Sequence, residues 1–600
     1  MMKSILCLSA GLVGASAVSL QAVPFADIVG SDVQLLISVR SLAETSAAWE
    51  KHAFAEFMED DAIKDFFTSL SADESDDSED EDDEDSDFTT VMNEEFGMTW
   101  DDFYELFPGQ MNMGFYNITE GMLDEESRDQ MVLMAECTGD AERMRELMQI
   151  QFERNAKMQK EVNPLVEHEW IEEQFMGETL YFDETFDGEE TYIEDGYALV
   201  DGVFILATPE ERLRNAVEAV KTGAASPLSK SDVYLRSLEA SGRGDFRLYV
   251  NLSPMMAALN DAMVEQAMAG GMAMFGVTGP SLESALSLET MQALFVDMDL
   301  VDEGILVNSG IIYSEKKGML SLLTYSDADL PAATYVPEGV MASSVSSFDM
   351  AEMIGALEKV ITAASPTAPM LLDIQLQSFK TNTGVDLRSA ILENIGAEVV
   401  SLSIMGEAGL EDPMVLPEQM YVFAINDAES FSQALETFKD MAPGLRDTIK
   451  TQDYEGQTIH TIKGVPDPEF SEVPAQDISY VITRSELIVN VGSVGFLHEV
   501  LSRMNESSAG FWQSEKVEQM FESIAQPNPV TRSYIDVNQM AKPFIESIAA
   551  MSPVPGFEAN GGAEKLIESL NMPLYMISES NEEPDGLFAR VMILKGEESK

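Results

Sequence analysis

Apolar and polar positions along this chain follow two rhythms, period two and period 3.6, and the switches between them outline an α+β protein. The run Val33 to Val39 predicts a strand, and Ser41-Leu-Ala-Glu44 behind it is a capping box. Leu42, Ala48, Trp49 and Phe57 at helical spacing carry the following helix to about Met58. A short helix near Thr99 to Phe107 is stopped by Pro108-Gly109. A strand follows, then another at Met131 to Cys137, then a long helix from Asp140 to about Val162. Strands are expected around Leu180 and from Tyr197 to Ala207. Thr208-Pro-Glu-Glu211 then combines an N-cap, a first-turn proline and an N3 glutamate, opening a helix that ends near Lys221-Thr-Gly223. A helix from Ser231 to Ala240 precedes the strand Phe246 to Leu252, and Pro254 opens an apolar, Met-rich helix. The alternating runs Ala293 to Asp299, Ile305 to Tyr313 and Met319 to Tyr325, with the link Ser314-Glu-Lys-Lys-Gly318, read as hairpins.

The same succession returns later in the chain. Val340 to Ser346 repeats the opening strand, and Gly97 to Phe103 with Pro108-Gly109 and Gln110 to Phe115 pairs without a gap with Gly384 to Ala390, Ile395-Gly396 and Ala397 to Leu402. Gln130 to Ala135 with Asp140-Ala-Glu142 matches Gln419 to Ala424 with Asp427-Ala-Glu429. Gly177-Glu-Thr-Leu-Tyr181 matches Gly456-Gln-Thr-Ile-His460, Tyr197 to Ala207 matches Tyr480 to Asn490, and Leu248 to Asn251 matches Ser533 to Asp536. Self-similarity at long period decides architecture before local motifs do. It replaces the four domains that a prior of about 150 residues each suggests with two. The expectation is an α+β chain of two pseudo-repeated lobes, residues 23–328 and 329–600, each a largely antiparallel sheet with helices packed on one face. The second copy closes with strands Leu574 to Ser578 and Leu587 to Leu594.

The repeat also places the acidic run. From Asp73 to Asp87, 12 of 15 residues are Asp or Glu and the other three are Ser, a composition that cannot pack. Trp49 pairs with Leu357 at an offset of 308 and Gly97 with Gly384 at 287, so the first copy holds 21 extra residues where that run lies. Residues 70–90 are therefore expected as a disordered insertion, accessory to the fold. Diffuse carboxylates lack the fixed geometry of a selective calcium site.

Lys3, the apolar run Ile5 to Val18 and small residues ending at Ala17 or Ala22 read as a secretory signal over residues 1–22, too short for a membrane span. Cys7 precedes most of the apolar region, which speaks against a lipoprotein signal. No later stretch is long and apolar enough to span; Met255 to Val277 is broken by Asn260, Asp261, Glu265 and Gln266. The expectation is export to the periplasm or beyond, with Cys137 alone after processing and hence no internal disulfide. A net charge of -72 repels nucleic acid and anionic lipid, favours solubility in a saline medium, and attracts divalent cations or a basic partner.

Catalytic motifs are missing. The four histidines, His52, His168, His460 and His498, show no zinc-protease spacing, and no Cys-x-x-Cys, nucleophile elbow, phosphate loop or dinucleotide fingerprint occurs. Ser314-Glu-Lys-Lys317 and Lys221-Thr-Gly223 stand in the wrong order for penicillin-recognising enzymes, and each reads locally as a turn or a helix end. With 107 acidic residues, paired glycosidase acids cannot be picked out by proximity. The one compact ligand cluster is Asp183-Glu-Thr-Phe-Asp-Gly188 with Glu194. There Asp183, Asp187 and Glu194 would supply oxygens to calcium, although Thr185 and Glu190 depart from the loop pattern and strands flank it, so an acidic hairpin is the plainer reading. The Met-rich helix, with Met255, Met256, Met263, Met268, Met272 and Met274, reads as adaptable core, as a surface for an apolar ligand or partner, or as thioethers for Cu(I). It and its counterpart near Met540 to Met551 could dock the lobes together.

The signal, the strand-helix opening with Trp49, the Gly-x-Thr-[Leu/Ile] strand and the doubled layout resemble large exported bacterial proteins grouped only as a domain of unknown function. The resemblance spans the mature chain and implies no activity and no catalytic residues. The functional expectation is a non-enzymatic exported protein without cofactor that acts by binding or structural association. The alternatives are a carrier of an apolar small molecule or lipid, and a calcium-dependent binding module.

Overall fold

The strand that opens the chain, β1 (Leu35–Val39), lies in the middle of a sheet and not at its edge, hydrogen-bonded to a strand on either side. The structure is a computed structural model that describes residues 25–52, 54–55, 99–118, 130–138, 141–186, 190–242, 244–365, 367–406, 417–441, 444, 448–464, 475–506, 509–542 and 573–596. The expected signal segment and acidic run lie outside them. The described residues up to 258, with 291–312, form one compact unit; 259–290 and 313–596 form a second. The second unit therefore begins before the expected boundary at residue 329 and takes up most of the Met-rich helix.

In the first unit β1 leads into α1 (Leu42–Trp49), whose N-cap Ser41 accepts from the Glu44 amide. The short helix α2 (Trp100–Leu106) has a full capping box between Thr99 and Asp102. Then come β2 (Met111–Phe115), β3 (Met131–Glu136), α3 (Ala141–Val162), β4 (Glu167–Phe175), β5 (Glu178–Phe186), β6 (Thr191–Val200), β7 (Val203–Thr208), α4 (Glu210–Thr222), α5 (Asp232–Ser241), β8 (Phe246–Asn251), α6 (Leu252–Ala269, ending in the second unit), β9 (Met291–Val301) and β10 (Gly304–Tyr313). The strand order is β4-β5-β6-β7-β3-β2-β1-β8-β9-β10, and every registered pair is antiparallel.

The second unit contains α7 (Gly279–Leu286), β11 (Ala342–Ser346), α8 (Met350–Ala364), α9 (Ala368–Thr383), β12 (Ile395–Ile404), β13 (Glu418–Ile425), α10 (Ala428–Met441), β14 (Ile449–Tyr454), β15 (Gln457–Ile462), β16 (Ile478–Ile482), β17 (Glu486–Val491), α11 (Val494–Asn505), α12 (Glu515–Glu522), β18 (Pro529–Asp536), β19 (Leu574–Glu583) and β20 (Gly586–Lys595). Its strands are ordered β14-β15-β16-β17-β13-β12-β11-β18-β19-β20, again antiparallel throughout.

Helices cover both faces of the first sheet, which corrects the expectation of one. Neighbouring residues on a strand face opposite ways. Tyr197 packs with Phe204, Ala135 and Val39 against Met144 and Leu147 of α3. Its neighbour Gly196 faces the other side, where a Cβ would strike Phe182 and Leu213 of α4. Leu213, Val217, Ile205 and Ala207 are fully buried, so α4 closes a second apolar layer. The sheet interior is apolar on both sides, which is why Tyr197 to Ala207 reads as continuous in sequence.

That run is two strands. Asp201-Gly202, at φ of 50° and 81°, makes the two-residue turn between β6 and β7; Met176-Gly177 at 50° and 87° joins β4 to β5, and Glu455-Gly456 at 50° and 80° joins β14 to β15. Two consecutive positive φ values define the type I′ turn, whose twist matches antiparallel strands and favours glycine second. Two further expectations fail. Met319 to Tyr325 is not a strand: Gly318–Leu322 winds into a 3-10 turn that buries Leu320, with the Ser321 hydroxyl on the Gly318 carbonyl at 2.6 Å. Thr208 is not the cap of α4; its hydroxyl donates to Asp195 across the sheet, and Pro209 takes the cap position.

Candidate functional site

Of the calcium candidates, Asp183 is the one whose side chain is described. Asp187 lies outside the described residues, and Glu194 lies on β6 with its side chain outside them. Asp183 sits in β5 where the register with β6 shifts, within an acidic hairpin, and its carboxylate is already engaged. His168 on β4 donates from Nδ1 to Asp183 at 2.9 Å, with the Thr185 hydroxyl 3.0 Å from the same nitrogen. The imidazole is 3% exposed and Thr185 fully buried, with Phe152 of α3 edge-on to the ring. The carboxylate fixes the proton on Nδ1, and Nε2 is buried without a partner. Among the described residues no three His, Cys, Asp or Glu side chains converge as a metal site.

The remaining histidines also pack. His52 Nε2 meets the carbonyls of Val301 and Gly304 at 3.0 and 2.8 Å, and His498 stacks on Tyr454 at 3.8 Å. His460 stacks on Tyr480 at 4.7 Å, as Tyr181 stacks on Tyr197 at 4.7 Å in the first unit.

One charged constellation escaped sequence reasoning. Arg247 on β8 lies directly across from Asp297 on β9 and donates to it at 2.8 Å; both are buried, Asp297 completely. Ser241 donates to the same carboxylate, and the guanidinium lies 5.3 Å from the Tyr234 ring of α5. The second unit repeats the arrangement. Arg532 on β18 faces Glu579 on β19 and donates from Nε at 2.5 Å, the glutamate is fully buried, and the guanidinium lies 5.5 Å from Phe521 of α12. Burial pushes the Asp297 carboxyl above its ordinary range even with Arg247 beside it. Both pairs are clamped between strand and helix, which makes them determinants of register. Extending the match of Leu248 with Ser533 back by one residue aligns Arg247 with Arg532, and that was the available signal.

The feature with an outward chemistry is on the helices of the second unit. No side chain of α9 is buried. Met370, Leu371 and Ile374 are 58%, 57% and 54% exposed. Pro369 in its first turn and Gly384 at φ 78° just past its end delimit α9, and a groove against α8 is lined by Glu358, Ile361, Pro369, Leu372, Asp373 and Arg388. Arg388 bonds to Glu358 and reaches Asp373 at 3.4 Å, fixing the floor of that groove. At the C-terminal end of α8, the Ser281 hydroxyl of α7 donates to the Ala364 carbonyl at 2.8 Å. Gly276 touches Thr367, and Gly279 lies against Val264 of α6. The end of α6, the 3-10 turn Met272–Phe275, α7, α8 and α9 thus form one contiguous helical region. Leu259, Met263, Met268, Met272 and Leu357 are also exposed there. Contiguous exposed apolar surface of this kind marks association in soluble proteins.

No described helix is long and apolar enough to cross a membrane. No family model matches the chain, and no curated protein matches it. Two solved structures, crystal forms I and III of TP0453, are each 11% identical to it with a TM-score of 0.20, over 45% of this chain and 95% and 96% of theirs.

Proposed function

We propose that this is an exported, non-enzymatic protein built from two copies of one α+β lobe, and that it acts by association through the exposed helical surface of its second compact unit. The observation that carries the reading is α9, a 16-residue helix without one buried side chain that holds Met370, Leu371 and Ile374 out to solvent. Burying a Leu, Ile or Met side chain is worth about 1.5–3 kcal/mol, so leaving several uncovered favours a partner. The duplication is supported by the common strand order and by the arginine–carboxylate pair on corresponding strands. Export is supported by the apolar run behind Lys3, and its check is direct: the amino terminus of protein from its own host should be Val18 or Val23.

Association is tested with the neutral dye Nile red. Binding should be saturable, and Met370→Ser with Leu371→Ser and Ile374→Ser should abolish most of it. Dye fluorescence unchanged by those substitutions removes the reading.

A further inference from the structure

We propose that the helical surface of residues 259–286 and 350–383 docks a basic amphipathic helix supplied by another protein. The inference rests on the association reading above and names its partner.

Two properties of the surface select that chemistry. Its exposed apolar side chains include four thioethers, Met263, Met268, Met272 and Met370, beside Leu259, Leu357, Leu371, Leu372 and Ile374. Methionine is unbranched and polarisable and adapts to a partner's contour, so it suits helices laid on it in varied registers. On the 259–286 part the charges are acidic: there is no Lys or Arg, and among the described residues Asp261, Glu265 and Glu283 have no basic partner, whereas on 350–383 Glu352, Glu358 and Asp373 stand with Lys359 and Lys380 and Arg388 bridges Glu358 and Asp373. The chain as a whole carries -72.

That combination sorts the occupants. An anionic lipid surface is repelled. A second copy would bring the same carboxylates face to face under two fields of the same sign. A neutral bilayer covers the methionines and leaves the carboxylates without counter-charge. A helix with an apolar stripe at i, i+3 and i+7 and Lys or Arg on its flanks answers both features. With 16 residues, α9 is about 24 Å long, so a partner helix of about 16–18 residues covers it.

The test is fluorescence anisotropy of the full chain at about 0.15 M salt with a labelled Leu/Lys peptide whose leucines fall on one helical face. The comparator is a scrambled peptide of identical composition. The ordered peptide should bind at least about tenfold tighter than the scrambled one. That preference should vanish in the Met370→Ser/Leu371→Ser/Ile374→Ser variant, which keeps every charge. The Asp261→Asn/Glu265→Gln/Glu283→Gln variant should weaken the ordered peptide by about tenfold and leave Nile red binding intact. Circular dichroism matching the parent keeps both variants interpretable. Equal affinity for the scrambled peptide reduces the effect to charge attraction, and an unchanged preference in the serine variant places the binding away from this surface; either result overturns the proposal. Nile red binding that the serine variant loses, without a peptide preference, overturns the partner and leaves the surface; loss of both overturns both. Co-sedimentation with phosphatidylcholine vesicles in place of a peptide preference makes lipid the occupant.

Discussion

His460 on β15 stacks on Tyr480 of the neighbouring strand, and Tyr181 on β5 stacks on Tyr197 of its neighbour. The histidine has a cost the tyrosine lacks. Its Nδ1 is buried without a partner, and burial, with the nearby Lys439 ammonium second, holds its pKa below the ordinary 6.5; Glu436 opposes this weakly. A depressed folded pKa means the unfolded chain takes the proton first. Stability is therefore full above about pH 6.5 and falls as the pH drops below it. Between about pH 7.5 and 5.5 the melting temperature should fall, and in His460→Tyr it should fall less. Parallel curves for the two proteins would refute this. Arg247→Met strands the Asp297 carboxylate in a dry site and should cost about 3–5 kcal/mol in urea unfolding. Arg247→Met with Asp297→Leu should recover most of that loss. Arg532, with a side chain 40% exposed, should lose clearly less on the same substitution, because water replaces part of what is removed.

At the scale of elements, the hairpins are held by single residues. Gly456 has φ 80° at the second turn position between β14 and β15, where a Cβ is strained whatever space surrounds it. Gly456→Ala should cost about 1–2 kcal/mol in urea unfolding, and Gly456→Asn less, since asparagine tolerates the left-handed region. An alanine variant as stable as the parent would show that the turn shifts freely. Gly177 and Gly456 were picked out in the sequence, and so were the capped start of α1, the place of α2 and most of β1, β3, β8 and β9; the Thr99–Asp102 capping box of α2 was not. What was illegible follows from burial. The strand β4, Glu-His-Glu-Trp-Ile-Glu-Glu-Gln-Phe, is an edge strand with little apolar alternation to betray it. The turn at Asp201-Gly202 vanished because both strands beside it are buried on both faces. Met319 to Tyr325 has the alternation of a strand, yet burying Leu320 in a 3-10 turn satisfied it instead. The Met-rich helix was visible as apolar, but apolar residues in a helix read as core by default. Their exposure depends on neighbours that sequence does not place.

At the scale of the whole molecule the governing quantity is charge. A chain of -72 repels itself in the folded state, where like charges are held closer than in the unfolded one. Added salt shortens the screening length from about 30 Å at 0.01 M to about 3 Å at 1 M, so it should raise the melting temperature monotonically. The same titration separates diffuse charge from a built calcium site. At matched ionic strength, a site formed by Asp183, Asp187 and Glu194 would raise the melting temperature in calcium beyond its value in sodium, and a chelator would reverse the gain. Asp183, however, already accepts from His168, and a cation there would have to displace that bond. The expected outcome is therefore stabilisation by sodium chloride, a modest excess for any divalent ion, and no difference between calcium and magnesium. A calcium-specific shift lost in Asp183→Asn would reverse this and make the hairpin a metal site.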